Sequence, residues 1–211
     1  AYTGLRSGEA RALTWEDIDF SNGTLRINKS VKAIEKGLEL ILRTQIISGG
    51  KLTIWCSQYD PSNLHPSRAR SFEPIALSAR ESVKIIQYLM NVSNPDTVII
   101  KAIESAITWY KEVAIEGLRI VRIKDMNFLE NYDIQIIINP DDQLKPLNWA
   151  RYYEIDTNVP IFSGRDGIVK YSMSDIEHER RINYEWYGDW ANDLIFNHHS
   201  NWSANLKNFQ N

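Results

Sequence analysis

Residues 57–77 limit the folding of this chain more than any other segment. They hold three of its seven prolines, and helical patterning lies on either side of them. Proline fixes φ and has no backbone N–H, so such a stretch suits neither a helix interior nor a central strand. The chain must therefore join helices through a long irregular connection. In a compact domain a loop of that length ordinarily carries function.

The flanking patterns give the expected elements. Ile34, Leu38, Ile41 and Leu42 fall at helical spacing, and Gly49-Gly50 is expected to stop that helix. Leu52-Thr53-Ile54-Trp55 reads as a short strand. Ser78-x-x-Glu81 is a capping box ahead of Val83, Ile86, Leu89 and Met90. Asn94-Pro95 opens the next helix, with proline at its first position and Val98, Ala102, Ile103, Ala106, Ile107 and Tyr110 on its buried face. Ile120–Ile123 and Ile134–Ile138 read as a hairpin, and Arg151–Ile155 as an extended piece. Ser174-x-x-Glu177 offers a second capping box for a helix to about Trp186. Near the start, Ser7 can cap a helix from Gly8 to Leu13, and Ser21-Asn22-Gly23 between alternating apolar residues is a hairpin signal.

Composition excludes several classes. At 43% hydrophobic and 24% charged, the 211 residues are neither disordered nor collagen-like. Cys56 is the single cysteine, so no internal disulfide forms. The apolar runs fall far short of the ~18 residues that read as a membrane span, and no signal-type leader opens the sequence. A net charge of -3 with no basic stripe argues against a nucleic-acid partner. Aromatics make up 11% and crowd into the last third, where they suit sugar faces, though an ordinary core is the favoured reading.

Two resemblances follow. Thr3-Gly4-Leu5-Arg6-Ser7-Gly8-Glu9, with Leu13 and Trp15-Glu16-Asp17-Ile18-Asp19, resembles the opening of the catalytic domain of tyrosine recombinases. The resemblance implies that Arg6, with Glu9 in the same motif, belongs to a phosphate-contacting site. From about residue 34 to 203 the chain resembles the C-terminal part of pectate lyases of polysaccharide lyase family ten. Gly50–Asp60, Ala69-Arg70-Ser71-Phe72-Glu73-Pro74, Trp149–Asn158, Pro160–Gly167 and Glu179-Arg180-Arg181 with Tyr184–Gly188 carry it. Tyr59 and Val159 stand where that family usually has His and Arg. Together the resemblances imply a chimera: a recombinase-like fragment at 1–33 and a lyase-like part at 34–211, with a seam near residues 32–34. The expected fold is mainly α, an incomplete (α/α) toroid with long loops and short strands, plus a small N-terminal α+β fragment.

The lyase resemblance implies cleavage of polygalacturonate by β-elimination, in a secreted or periplasmic setting, with Ca²⁺ as cofactor. It makes Arg70 the base that takes the C5 proton, and Arg151 and Arg165 the holders of substrate carboxylates, a task that suits the guanidinium fork. An arginine base needs its pKa lowered, since arginine otherwise stays protonated. The resemblance also implies that the calcium-ligating aspartates precede this segment, so no metal ligand is assigned here and the chain is expected to be incomplete and inactive alone. The alternatives are a DNA-recombinase fragment and a carbohydrate-binding remnant without catalysis. Taken in isolation, Arg70 near Glu73 is a surface ion pair, Arg165-Asp166-Gly167 a turn, and Arg180-Arg181 an ion-paired helix face. Lys51 reads as solvated and Asp141-Asp142 as a polar loop.

Overall fold

A computed structural model describes residues 18–19, 24–25, 28–70 and 72–209. The chain forms two compact units, Ala1–Arg43 and Thr44–Asn211.

In the first unit β1 (Ile18–Asp19) and β2 (Thr24–Leu25) pair antiparallel, Ile18 opposite Leu25, where the Asn-Gly signal placed a hairpin. Helix α1 (Asn28–Arg43) follows and runs unbroken through residue 33, where the seam was expected. The expected Gly8–Leu13 helix, Arg6 and Glu9 lie outside the described residues.

The second unit opens with a hairpin. Gly49-Gly50 does not stop a helix; α1 has already ended at Arg43. The glycines, at φ 56 and 77, turn β3 (Ile47–Ser48) into β4 (Lys51–Leu52). Two consecutive residues at positive φ make the turn that fits strand twist, and glycine takes that conformation without steric cost. The buried Gln45 amide donates to Thr53 O at 2.8 Å and Ala102 O at 2.9 Å, which ties this hairpin to the helices. Residues 57–77 form the expected long connection, closed by bridges Cys56–Leu77 and Tyr59–Pro66.

Helix α2 (Ala79–Met90) buries Ser82, Val83, Ile86 and Leu89. Its expected capping box is not built. The Ser78 hydroxyl donates to Glu81 Oε2 at 2.5 Å and leaves the helix N–H groups alone, because Glu81 is engaged elsewhere. Helix α3 (Thr97–Glu112) is capped by Asp96, whose carboxylate accepts from Val98 N at 3.0 Å and Ile99 N at 2.8 Å. Its buried face is the expected one with Trp109 added and Ile99 in place of the exposed Val98.

Short sheets complete the unit. β9 (Leu147–Ala150) lies between β6 (Ile115–Glu116) and β13 (Tyr187–Gly188). β10 (Tyr152–Tyr153) pairs with β5 (Leu77–Ser78), Tyr152 opposite Ser78. β7 (Leu118–Lys124) and β8 (Tyr132–Ile138) make the expected hairpin. β11 (Phe162–Ser163) pairs with β12 (Val169–Lys170). Helix α4 (His178–Asn183) starts after Glu177, with no Ser174 cap, and α5 (His199–Phe209) ends the described chain.

The aromatic-rich last third packs inward: Trp149, Tyr152, Tyr153, Phe162 and Trp186 are all buried. Trp109, Tyr110, Tyr153 and Trp149 meet edge to face at 5.1–6.0 Å between centroids, the favoured aromatic geometry.

The expectation of a mainly α, incomplete (α/α) toroid is overturned. Among the described residues five α-helices alternate with thirteen strands in several small sheets, a mixed α and β architecture. Most of these strands are two residues long. Such strands leave no alternating pattern in the sequence, whereas helical periodicity stands out.

Candidate functional site

The site is built where the long connection, the β9–β10 junction, the segment after β11 and helix α4 meet. Arg151 sits at the β9–β10 junction. Its N–H donates to Trp186 O at 2.7 Å, and its C=O accepts from Ala79 N at 2.9 Å. These bonds place its side chain at the first turn of α2, where Nη2 donates to Glu81 Oε1 at 2.5 Å. Arg165 follows β11. Glu177 accepts from its backbone N–H at 2.9 and 3.1 Å, and a methyl group at Gly164 would collide with that carboxylate. The Arg165 side chain forks onto Glu179, Nε to Oε1 at 2.6 Å and Nη2 to Oε2 at 3.2 Å. Arg70, in the long connection, pairs with Glu73, Nη2 to Oε1 at 2.9 Å.

A fourth arginine joins these three. Arg180, on α4, is buried at 5% exposure, and no carboxylate pairs with it among the described residues. Its Nε and Nη2 are enclosed without a hydrogen-bond partner, as is Nε of Arg151. Aromatic rings surround the Arg180 guanidinium: Phe72 at 4.6 Å, Tyr184 at 4.4 Å and Trp186 at 5.3 Å. The same rings serve the others. Arg70 and Arg165 approach Phe72 at 5.5 and 5.1 Å, and Arg151 lies 4.4 Å from Tyr184. The Tyr184 hydroxyl is 2.9 Å from that of Tyr152. Two rings thus hold four cations together, with Arg180 common to both.

The electrostatics follow from the partners. Burial, aided by the charge of Arg165, pulls the pKa of Arg180 below the ordinary arginine value. Burial also pulls on Arg151, but Glu81, Tyr184 and Tyr152 together carry it above that value. The Glu73 hydrogen bond and charge raise Arg70, and those of Glu179 raise Arg165. Arg70 is therefore held protonated, the opposite of what a base requires.

The structure thus brings Arg70, Arg151 and Arg165 together and adds Arg180, which the sequence reading left on an ion-paired helix face. That reading holds for Arg181, which forks onto Asp133 at 3.0 and 2.5 Å. Nothing in Glu-His-Glu-Arg-Arg separates the two arginines; only packing does. Lys51 stands apart: it pairs with Glu112 at 3.4 Å and lines a cleft of about 710 Å³ that none of the four arginines borders. The Tyr59 hydroxyl accepts from Cys56 N at 2.7 Å, a local backbone contact, and Val159 is exposed just past a turn.

The acids do not make a metal site. Asp60 accepts from Ser62, Asp142 from Arg119, and Asp166 from Ile168 N and Lys170. Among the described residues no three His, Cys, Asp or Glu side chains are grouped to hold a metal ion. The Ca²⁺ implied by the lyase resemblance therefore does not fit them. No described helix is long and apolar enough to cross a membrane.

Known proteins place this architecture. The family model described as pectic acid lyase matches residues 11–195. It takes in residues 11–32 and so runs past the expected seam; the recombinase resemblance gains no support. No curated protein matches. Two solved structures are similar: a family 10 polysaccharide lyase from Cellvibrio cellulosa, and an aspartate-to-alanine mutant of a lyase of that family and organism in complex with trigalacturonic acid. For each the identity is 28%, the TM-score 0.67, and the match covers 80% of this chain and 50% of the other. The chain thus spans about half the length of these solved relatives. On the family match, it belongs to the pectic acid lyase family.

Proposed function

We propose that this chain provides an arginine-lined surface for the carboxylates of oligogalacturonate, and that the site cleaves polygalacturonate by β-elimination. The observation that carries the reading is the gathering of Arg70, Arg151, Arg165 and Arg180 around Phe72 and Tyr184. A uronate offers one carboxylate per sugar and an apolar ring face. Guanidinium forks beside aromatic rings match both. The printed ligand of one solved relative, trigalacturonic acid, is of this class.

In elimination, Arg70 must first give up a guanidinium proton to water, and the neutral guanidine then takes the C5 proton. The C–H electron pair becomes the C4–C5 double bond, the C4–O bond breaks, and the departing oxygen takes a proton from water. Charge develops toward the uronate carboxylate, and cations positioned there stabilise it. Arg151 and Arg165 supply those cations, and Arg180 shares their aromatic rings.

Calorimetric titration tests the binding. Trigalacturonate should bind, and its fully methyl-esterified counterpart should bind at least about tenfold more weakly, the equivalent of ~1.4 kcal/mol. Arg151→Ala and Arg165→Ala should each weaken binding, with Lys restoring it only in part because the two-pronged contact is lost. Equal affinity for both ligands would end the proposal. A second reading, binding without cleavage, is favoured by one observation, the Arg70–Glu73 pair that keeps Arg70 protonated. Growth of absorbance from unsaturated product ends, lost in Arg70→Ala, separates the two.

A further inference from the structure

Glu73 is a carboxylate in an unusual position. Its side chain is 9% exposed, whereas that of its partner Arg70 is 70% exposed. A buried carboxylate must be compensated, or its desolvation costs several kcal/mol. The hydrogen bonds that hold Glu73 run to Arg70. Oε1 accepts from Nη2 at 2.9 Å, Oε2 from the Arg70 backbone N–H at 3.3 Å, and the Glu73 N–H donates to Arg70 O at 2.9 Å. The buried member of the pair is anchored to both the backbone and the side chain of the exposed one. An exposed arginine without such an anchor would sample many rotamers.

The surroundings make this anchor consequential. Arg70 shares the Phe72 ring with Arg165 and Arg180, and Tyr184 and Tyr152 also act on it. Arg165 has its own carboxylate in Glu179, and Arg180 has none among the described residues. Without Glu73, Arg70 would stand beside two cations with no anion of its own, and like charge disfavours the protonated form.

We infer that Glu73 is the positioning residue of Arg70: its carboxylate fixes the guanidinium at Phe72 and must leave Nη2 before Arg70 can accept a proton. The role of Arg70 as base rests on the lyase reading; the pairing of Glu73 with Arg70 does not.

The test is arginine modification of the full chain by phenylglyoxal, which attacks the unprotonated guanidine, with peptide mapping by mass spectrometry over about pH 7.5–9.5. An opposite charge shifts a pKa by roughly 1–3 units, and each unit is a factor of ten in the neutral fraction. Glu73→Gln should therefore modify Arg70 at least about tenfold faster than the parent chain at each pH. Its rate curve should be displaced about one unit to lower pH, while Arg122 reacts unchanged. Glu73→Asp keeps the charge but draws it back by one methylene. It should give a smaller acceleration, and it keeps the question open to test if the Gln variant fails to fold. Equal Arg70 rates in parent and variants would overturn the inference. Trigalacturonate titrations of the same chains keep the two proposals apart. Accelerated modification without any binding would sink the lyase reading and leave Glu73 in its role; binding with unchanged rates would do the reverse.

Discussion

Arg180 carries a charge into a place where little compensates it. Taking a guanidinium out of water costs several kcal/mol. Cation–π contact returns about 2 kcal/mol when desolvated, and the lowered pKa of Arg180 agrees that burial wins. The enclosed Nε and Nη2 add to the deficit. Methionine has similar volume and lies well against aromatic rings. Arg180→Met should therefore leave the unfolding free energy from urea denaturation unchanged or raise it by up to about 2 kcal/mol, while weakening trigalacturonate binding at least about tenfold. A variant that loses stability and keeps affinity would show Arg180 to be a structural residue only. Arg180 was hidden in the sequence for a physical reason. Its environment is made by Phe72 from a distant loop and by Tyr184 from beyond the helix end, and neither is marked by local spacing. Arg70, Arg151 and Arg165 were legible only through resemblance; taken alone, Arg70 reads as a surface ion pair, Arg151 as an exposed strand residue and Arg165 as part of a turn, whereas the geometry pairs all three with a carboxylate.

Helix α4 links the site to the β7–β8 hairpin. Arg181 forks onto Asp133, His178 Nε2 lies 2.7 Å from Tyr132 O, and Phe128 stacks on the His178 ring at 3.6 Å. Glu179 and Arg180 lie between those two anchors, so the hairpin fixes the helix that carries Arg180. The Arg181 hydrogen bond, with help from the Ile134 N–H, holds the Asp133 carboxyl below its ordinary range. A depressed carboxyl stabilises the fold above its unfolded value of about 3.9, and that contribution fades as pH falls through the lower folded value. Asp133→Asn should cost about 1–3 kcal/mol at pH 7 and speed amide exchange in β7 and β8. The difference from the parent should persist to about pH 5 and shrink below about pH 4. A cost that stays constant down to pH 3 would mean that the charge is not what holds the hairpin. The hairpin itself was legible because seven-residue strands show their composition. The capping boxes were not realised because Glu81 and Glu177 serve Arg151 and the Arg165 backbone instead. Local chemistry at both helix starts gives way to the site.

The four arginines, their carboxylates and both aromatic walls all fall within Thr44–Asn211, one of the two compact units. The sequence reading divided the chain at residue 33, because resemblance changes there; helix α1 passes through that point, and the compact units divide after Arg43. A division by packing says what can fold alone, since a unit with its own core needs no other part of the chain to bury its apolar surface. The core of the second unit includes Trp55, Tyr110, Trp149 and Trp186, each buried. Residues 44–211 expressed alone should therefore unfold cooperatively and bind trigalacturonate within about threefold of the full chain. Because no three described acids, histidines or cysteines are grouped to hold a metal ion, a chelator should leave that affinity unchanged. Rising salt should weaken it, since the attraction is between charges near the surface. The measurement is denaturation by tryptophan emission, followed by titration of both chains with and without chelator. If residues 44–211 fold cooperatively but bind more than tenfold more weakly, residues 1–43 supply part of the site. If chelator abolishes binding, a cation bridge reaches the uronates through residues outside the arginine cluster.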